Sequence, residues 1–199
     1  MIHHDLIILG GGSSGLMAAI TAKDFGLDVA IIEGTDRIGK KILTTGNGRC
    51  NISNVNLDIS KYHGDPCFAY KLIDKFNYNN TKDFFEKLGV IIKVDEKGRA
   101  YPYSLQASSV VDALRFECDK QSIKTVLNCE ITEIIKKDNL FIIKSEDYIF
   151  NARAVILAFG GQAGGNLYGT DGSAYKLFKN INFIDTKRTS QVYWNRKWW

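Results

Sequence analysis

The chain has 199 residues, 45% of them hydrophobic and 24% charged, with a formal net charge of +4 at pH 7. That length and composition support a sizeable buried core and exclude a globally disordered chain. Lys and Arg never run longer than two, which argues against a nucleic-acid surface, and Cys50, Cys67, Cys118 and Cys129 form neither a C-x-x-C pair nor a metal-ligand spacing with His3, His4 or His63.

The N-terminus carries His3-His4-Asp5 rather than a basic segment, and the apolar stretch from Leu6 to Ile20 is broken by Gly10, Gly11, Gly12 and Gly15. Neither a signal peptide nor a membrane span is expected, since a span needs about 20 predominantly apolar residues. Unpaired cysteines then fit a reducing, cytoplasmic setting. Leu6–Leu9 is a short apolar run ending in glycines, and the Ala- and Leu-rich stretch from Ser14 to Phe25 ends at Gly26, which predicts strand, tight turn and helix. Val29–Glu33 predicts a second buried strand, completing a βαβ unit of a parallel sheet.

From Gly34 to Tyr62 no period emerges, and a connection that long inside a compact domain is usually functional. Helices are predicted to resume at Pro66, suited to a first helical position, and after a cap at Asn80 or Thr81. Ile91–Val94 predicts a strand closed by a turn at Lys97-Gly98. Ser108 is expected to cap a helix running to about Lys120, with Val111, Leu114 and Cys118 along one face.

Thr125–Leu127, Ile131–Ile135, Leu140–Ile143 and Tyr148–Phe150 are short β-rich runs with turns at Asp138-Asn139 and Glu146-Asp147, read as one sheet strand and then an antiparallel meander. Ala154–Ala158 predicts a further buried strand that runs into glycines, and Gly172–Lys179 a short helix. All three tryptophans fall in the final six positions, and the segment from Lys187 has no period. Residues 1–179 are therefore read as one domain and 180–199 as an aberrant or disordered tail, with the true reading frame lost near Asp185. Removing residues 187–199 is expected to change stability by no more than about 0.5 kcal/mol.

Gly10-Gly11-Gly12-Ser13-Ser14-Gly15 supplies G-x-G-x-x-G between a predicted strand and a predicted helix. Gly10 permits the turn, Gly12 lets backbone approach a pyrophosphate, and Gly15 lets helix pack on strand, while the free N–H groups at Ser13 and Ser14 face an anion. Glu33 stands at the end of the second strand, where a carboxylate accepts hydrogen bonds from a ribose and repels a 2′-phosphate. To this point FAD and NAD remain equally good readings, and a Gly-rich turn beside a solvated Glu is the plain alternative.

The segment Gly39-Lys-Lys-Ile-Leu-Thr-Thr-Gly-Asn-Gly-Arg-Cys-Asn-Ile-Ser-Asn54 resembles the G-R-K-L-L-x-T/S-G-G-G-R-C-N-x-[ST]-N stretch of the BaiN-like, or aminoacetone-oxidase-like, bacterial FAD-dependent oxidoreductases. Two further stretches agree: Gly98–Ser104 followed by Ala107–Leu114, and Ala154–Gly161 followed by Gly169–Leu177. The resemblance covers residues 5 to about 179. It implies an α/β Rossmann-type FAD-binding domain of the two-dinucleotide-binding flavoprotein type, a parallel sheet plus antiparallel β-meander, C-terminally truncated. It also implies that the Gly39–Asn54 loop runs past the pyrophosphate toward the flavin, with Lys41, Thr45, Gly46, Gly48, Arg49, Cys50 and Asn51 at the cofactor. The flat glycines admit close approach, and Lys41 and Arg49 offset phosphate charge. The backbone at Glu130 and Ile131 is expected near the adenine, and Ala158, Gly160 and Gly161 near the cofactor from the next strand. Asn47 stands where the family usually has Gly, Lys40 where it has Arg, and Phe159 where it has a small Thr.

Arg99, Tyr101 and Tyr103 are candidate lining for a substrate pocket, whereas Cys50, with no partner thiol, reads as packed. The expected activity is electron transfer through flavin, from NAD(P)H or substrate to a small organic acceptor or dioxygen. In the family the chain beyond residue 179 supplies a substrate domain and a return to the FAD domain, so weak FAD or ADP binding and negligible turnover are expected of this chain. The rivals are a single-Rossmann NAD-dependent dehydrogenase, for which no His/Asp/Arg catalytic set follows, and a non-catalytic nucleotide-binding fragment.

Overall fold

A computed structural model describes residues 1–58, 66–161 and 176–177, with backbone alone for 66–69. Apart from residues 176–177, the helix expected over Gly172–Lys179 lies outside the described residues, as does the tail at 180–199. In chain order the elements are β1 (Ile2–Leu9), α1 (Ser13–Asp24), β2 (Val29–Ile32), a 3-10 turn (Ile42–Thr44), β3 (Ser53–Asn54), α2 (Pro66–Lys75) and α3 (Tyr78–Lys87). There follow β4 (Ile92–Val94), β5 (Arg99–Pro102), α4 (Ala107–Lys120), β6 (Lys124–Val126), β7 (Ile131–Lys137), β8 (Leu140–Ser145) and β9 (Ile149–Leu157).

Six strands form one sheet in the order β6-β2-β1-β9-β8-β7, parallel from β6 to β9 and antiparallel from β9 to β7. The all-apolar β2 is buried along its length because both faces of the sheet are covered at β2. On one face, Leu6, Ile8, Val29 and Ile31 pack against Leu16, Ala19 and Ile20 of α1 and Val110, Val111, Leu114 and Cys118 of α4. On the other, Ile7, Leu9, Ala30 and Ile32 pack with Ile131, Ile143, Phe150 and Ala152 of the meander. Alternate residues of β1 thus serve two cores, as the period of a strand requires.

Several boundaries differ from expectation. Tyr148–Phe150 and Ala154–Ala158 are parts of one strand rather than two: β9 pairs antiparallel with β8 over Ile149–Ala152 and parallel with β1 over Phe150–Leu157. Asn151 and Arg153 interrupt the apolar run that sequence reading follows, yet the backbone ladder passes through them. β1 starts at Ile2 because His3 and His4 are ladder partners of Asn151 and Ala152; His4 is buried, with Nδ1 2.9 Å from Asp28. These histidines are therefore structural.

The cap of α3 is Asn77, not Asn80 or Thr81. Its side chain accepts from the N–H groups of Asn79 and Asn80, and the Asn80 side chain accepts from the Asn77 N–H. Ser108 does not cap α4, whose N-cap position is two residues earlier, at Gln106. A small antiparallel sheet, β3-β5-β4, was not foreseen at all beyond β4, its strands being only two to four residues long.

Phe150 is completely buried where the meander meets the parallel sheet, its ring 5.6 Å from that of Tyr148. Phe150→Ala is expected to cost about 3–5 kcal/mol. Urea unfolding followed by far-UV circular dichroism measures this, and a loss below about 1 kcal/mol would mean that this junction is not part of the cooperative core.

Candidate functional site

The C-terminal ends of β1, β2, β6 and β9 converge through backbone hydrogen bonds. The Gly10 N–H donates to Ile32 O (2.8 Å), the Ala158 N–H to Leu9 O (2.8 Å) and the Glu33 N–H to Val126 O (2.8 Å). Gly10 has φ +110°, and a Cβ there would strike the carbonyl of Ala158. A Cβ on Gly15 would strike the Gly10 carbonyl and come within 3.3 Å of the Ala158 side chain. Both glycines are required by close approach, as their spacing implied. Gly12 faces open space on its Cβ side, Ser13 and Ser14 are exposed, and α1 begins without a side-chain cap, so its first-turn N–H groups have no capping oxygen among the described residues.

Glu33 is not a solvated strand end. Its Oε2 accepts from the Gly11 N–H (2.7 Å) and its Oε1 from the Thr35 N–H (2.8 Å), tying the Gly-rich turn to the segment after β2. A carboxylate has about four acceptor sites, so two remain for a ligand. Gly11, which sequence reading passed over, is constrained as Gly10 is: a Cβ would strike the Ile38 side chain, and its carbonyl accepts from the Gly39 N–H (2.8 Å). Its place in the middle of three consecutive glycines was the only signal for it.

That bond starts the long loop beside the turn, so Lys41 lies two residues beyond an anchor to the glycines. The far end of the loop goes elsewhere. Gly46, Asn47 and Gly48 have φ of +56°, +56° and +78°, and Cys50 +58°. A Cβ on Gly46 would sit 2.6 Å from the Asn51 nitrogen, and the Gly48 carbonyl accepts from the Ala107 N–H at the start of α4 (2.8 Å). Asn47 takes the left-handed conformation in place of the usual glycine, which Asn tolerates.

Thr45 closes this turn, its carbonyl accepting from the Cys50 N–H (2.9 Å). The Cys50 thiol is pushed up by burial, partly offset by the Thr45 hydroxyl, and stays protonated at neutral pH. The Asn51 amide donates to the carbonyls of Ser53 (2.9 Å) and Ala100 (3.2 Å), which makes it a brace of the small sheet. Arg49 lies over the Tyr101 ring, 5.2 Å from its centroid. The two cations that sequence reading assigned together to phosphate thus sit at opposite ends of the loop's anchorage.

Leu127–Glu130 borders the same end of the sheet, with the Cys129 N–H donating to Glu33 O (3.0 Å) and the Asn128 N–H to Thr35 O (3.0 Å). Glu130 is exposed and Ile131 buried. After β9, Ala158 is buried, Gly160 has φ +79° and Gly161 faces open space. Phe159 packs on the second core. The proposed lining of a substrate pocket splits: Tyr101 is buried, whereas Tyr103 is exposed and lines a shallow groove with Val90, Ile91 and Pro102. Arg99 pairs with Asp95 (2.6 Å) and holds that carboxyl below the usual carboxylate range.

Residues 4–187 match the HI0933-like protein Rossmann domain. The chain belongs to that flavoprotein family. This bears out the resemblance carried by the Gly39–Asn54 loop. Among HI0933-like relatives, 3-dehydro-bile acid delta(4,6)-reductase of Clostridium scindens is 42% identical over 177 residues, 87% of this chain and 43% of that protein. Ribosomal RNA dihydrouridine synthase of Escherichia coli is 26% identical over 190 residues, 94% of this chain and 47% of that protein. The chain thus spans less than half the length of these curated relatives. The 3-ketosteroid-delta4-(5alpha)-dehydrogenase from Rhodococcus jostii superposes over 80% of this chain and 46% of its own with a TM-score of 0.61 at 13% identity. A flavocytochrome c3 fumarate reductase superposes over 80% and 34% with a TM-score of 0.60 at 19% identity. At such identity both speak for the fold alone.

Glu33→Ala would release two backbone N–H groups as well as any ligand. It is expected to destabilise the chain by about 1–3 kcal/mol, more than the near-neutral change expected of a solvated strand end, and to weaken ADP binding about tenfold or more. Thermal unfolding and calorimetry with ADP read the two effects separately, and unchanged ADP affinity would remove Glu33 from the site.

Proposed function

We propose that this chain holds FAD along the C-terminal edge of its parallel sheet and forms the dinucleotide-binding part of a flavin-dependent oxidoreductase. The observation that carries this reading is the convergence, at one end of β1, β2 and β9, of an open helix N-terminus, a carboxylate with spare acceptor sites and two glycines with nothing on their Cβ side, Gly12 and Gly161. An extended dinucleotide needs that combination: backbone approach without side chains, N–H groups for a pyrophosphate and an acceptor for a ribose.

In this reading Glu33 accepts from the adenosine ribose, and its negative charge disfavours a 2′-phosphate. The N–H groups of Gly12, Ser13 and Ser14 hold the pyrophosphate at the positive end of α1, with Lys41 adding charge from the loop. The backbone at Glu130 and Ile131 borders the adenine. Thr45 to Asn51, braced on α4 and the small sheet, carry the loop toward the flavin ring, and Ala158, Gly160 and Gly161 close on the cofactor from β9. When bound, FAD supplies hydride transfer at its isoalloxazine ring.

We take the electron donor to be NAD(P)H or the substrate, and the acceptor a small organic molecule or dioxygen. Higher identity to a relative named for a bile-acid derivative than to one named for ribosomal RNA supports a small-molecule acceptor, as does the lack of basic runs. Cys50, Cys118 and Cys129 are free thiols, which fits a cytoplasmic setting. A single-Rossmann NAD dehydrogenase would leave the Gly39–Asn54 loop without a role.

Titration of the chain with FAD is expected to show weak, saturable binding, read as a change in the flavin bands at about 370 and 450 nm and by calorimetry. A colourless protein that binds NAD in calorimetry would support the dehydrogenase reading instead, and one that binds neither dinucleotide would support a non-catalytic fragment.

A further inference from the structure

Arg49 and Tyr101 make an arrangement that cofactor binding leaves unexplained. Tyr101 is buried in β5, the middle strand of the small sheet, with a guanidinium against its ring from two different segments: Arg49 at 5.2 Å and Arg99 at 5.8 Å from the centroid. The two arginines differ in one respect. Arg99 is neutralised by Asp95, whose carboxylate meets its Nε at 2.7 Å and a terminal nitrogen at 2.6 Å. Arg49 has no carboxylate partner among the described residues, and its one hydrogen bond is a long contact from Nε to the Gly46 carbonyl, 3.4 Å. The terminal nitrogens of Arg49 therefore keep their donors.

The Tyr101 hydroxyl is likewise buried with no hydrogen-bond partner among the described residues. A buried hydroxyl without a partner is uncommon and marks a strained or ligand-directed group. Here it is carried by the ring that seats the unneutralised guanidinium. Arg49 is also held in place: the left-handed turn from Gly46 to Cys50 is locked to Thr45 and to the start of α4, and the ring beneath it restricts its rotamers. A cation fixed in this way, with its planar donor fork unused, suits a carboxylate better than a mobile lysine would.

We infer that Arg49, with the Tyr101 hydroxyl, anchors the carboxylate of an organic-anion substrate at the flavin end of the cofactor site. The inference rests on the FAD reading above, which orders the site from Glu33 through the glycines and Lys41 to the far end of the loop. It reassigns Arg49 from the cofactor phosphates, which Lys41 and the N-terminus of α1 serve, to the substrate.

The test uses the full chain loaded with FAD, with sodium benzoate as probe and benzamide as its uncharged analogue, followed by flavin difference absorbance and calorimetry. Benzoate is expected to bind and benzamide not. Arg49→Met is expected to weaken benzoate at least about tenfold while leaving FAD affinity within about twofold, with Arg49→Lys intermediate. Tyr101→Phe keeps the ring and the fold and is expected to weaken benzoate about threefold or more by removing one neutral hydrogen bond. Arg99→Met, the paired cation, should leave benzoate binding unchanged. Equal binding of benzoate and benzamide, or full benzoate affinity in Arg49→Met, overturns the assignment, as does a parallel fall in FAD and ADP affinity in that variant. A chain that takes up no FAD defeats the cofactor reading alone, and the same calorimetric comparison on the flavin-free chain then decides the anchor.

Discussion

The close contact between the Gly10–Gly15 turn and the end of β9 is the constraint on which the site depends. Gly10 lies where any side chain would strike the Ala158 carbonyl, and Gly15 where one would strike the Gly10 carbonyl. With both Cβ atoms missing, β1 turns into α1 within a few residues and the helix N-terminus ends up beside the mouth of two parallel strands. Parallel packing brings β2 and β6 to the same edge, because every strand of a parallel set ends on one side. Open N–H groups, the Glu33 carboxylate and the glycines after β9 therefore meet at one place without any long-range device.

Glu33 has two tasks there, which explains why a carboxylate rather than a neutral acceptor suits the position. Charge-assisted bonds to the Gly11 and Thr35 N–H groups hold the turn and the start of the long loop in register, and they leave the carboxylate's other acceptor sites unused. The loop then distributes charge along the site. Its first anchor, Gly39 on Gly11, keeps Lys41 near the glycines, and its last anchors, on α4 and the small sheet, carry Arg49 away to the aromatic ring of Tyr101. Positive φ at Gly46, Asn47, Gly48 and Cys50 makes that redirection possible over a short span.

The meander closes the second core through β9, which changes partners along its length, antiparallel to β8 and then parallel to β1. Phe150 and Ala152 are buried in the first half. Beyond the reach of β8, Ile156 and Leu157 are exposed, so the half of β9 that approaches the glycines is covered less than the half beneath the meander.

Sequence alone determined the βαβ unit, the roles of Gly10 and Gly15, the helix with Val111, Leu114 and Cys118 inward, the meander and the family, because each is written in local spacing: period 2 or 3.6, a glycine triplet, a sixteen-residue loop pattern. It left open whatever depends on which distant segment lies alongside. The fusion of two apolar runs into β9 follows from ladders to β1 and β8, not from hydropathy. The histidines at the N-terminus acquire a role only because Asp28 and Asn151 lie across from them. Strands as short as β3 and β5 have too few residues for a period, so only their mutual pairing defines them. The separation of Lys41 from Arg49, eight positions apart in one loop, was decided by the tertiary structure, since the direction of an irregular segment is set by its anchors and not by its composition.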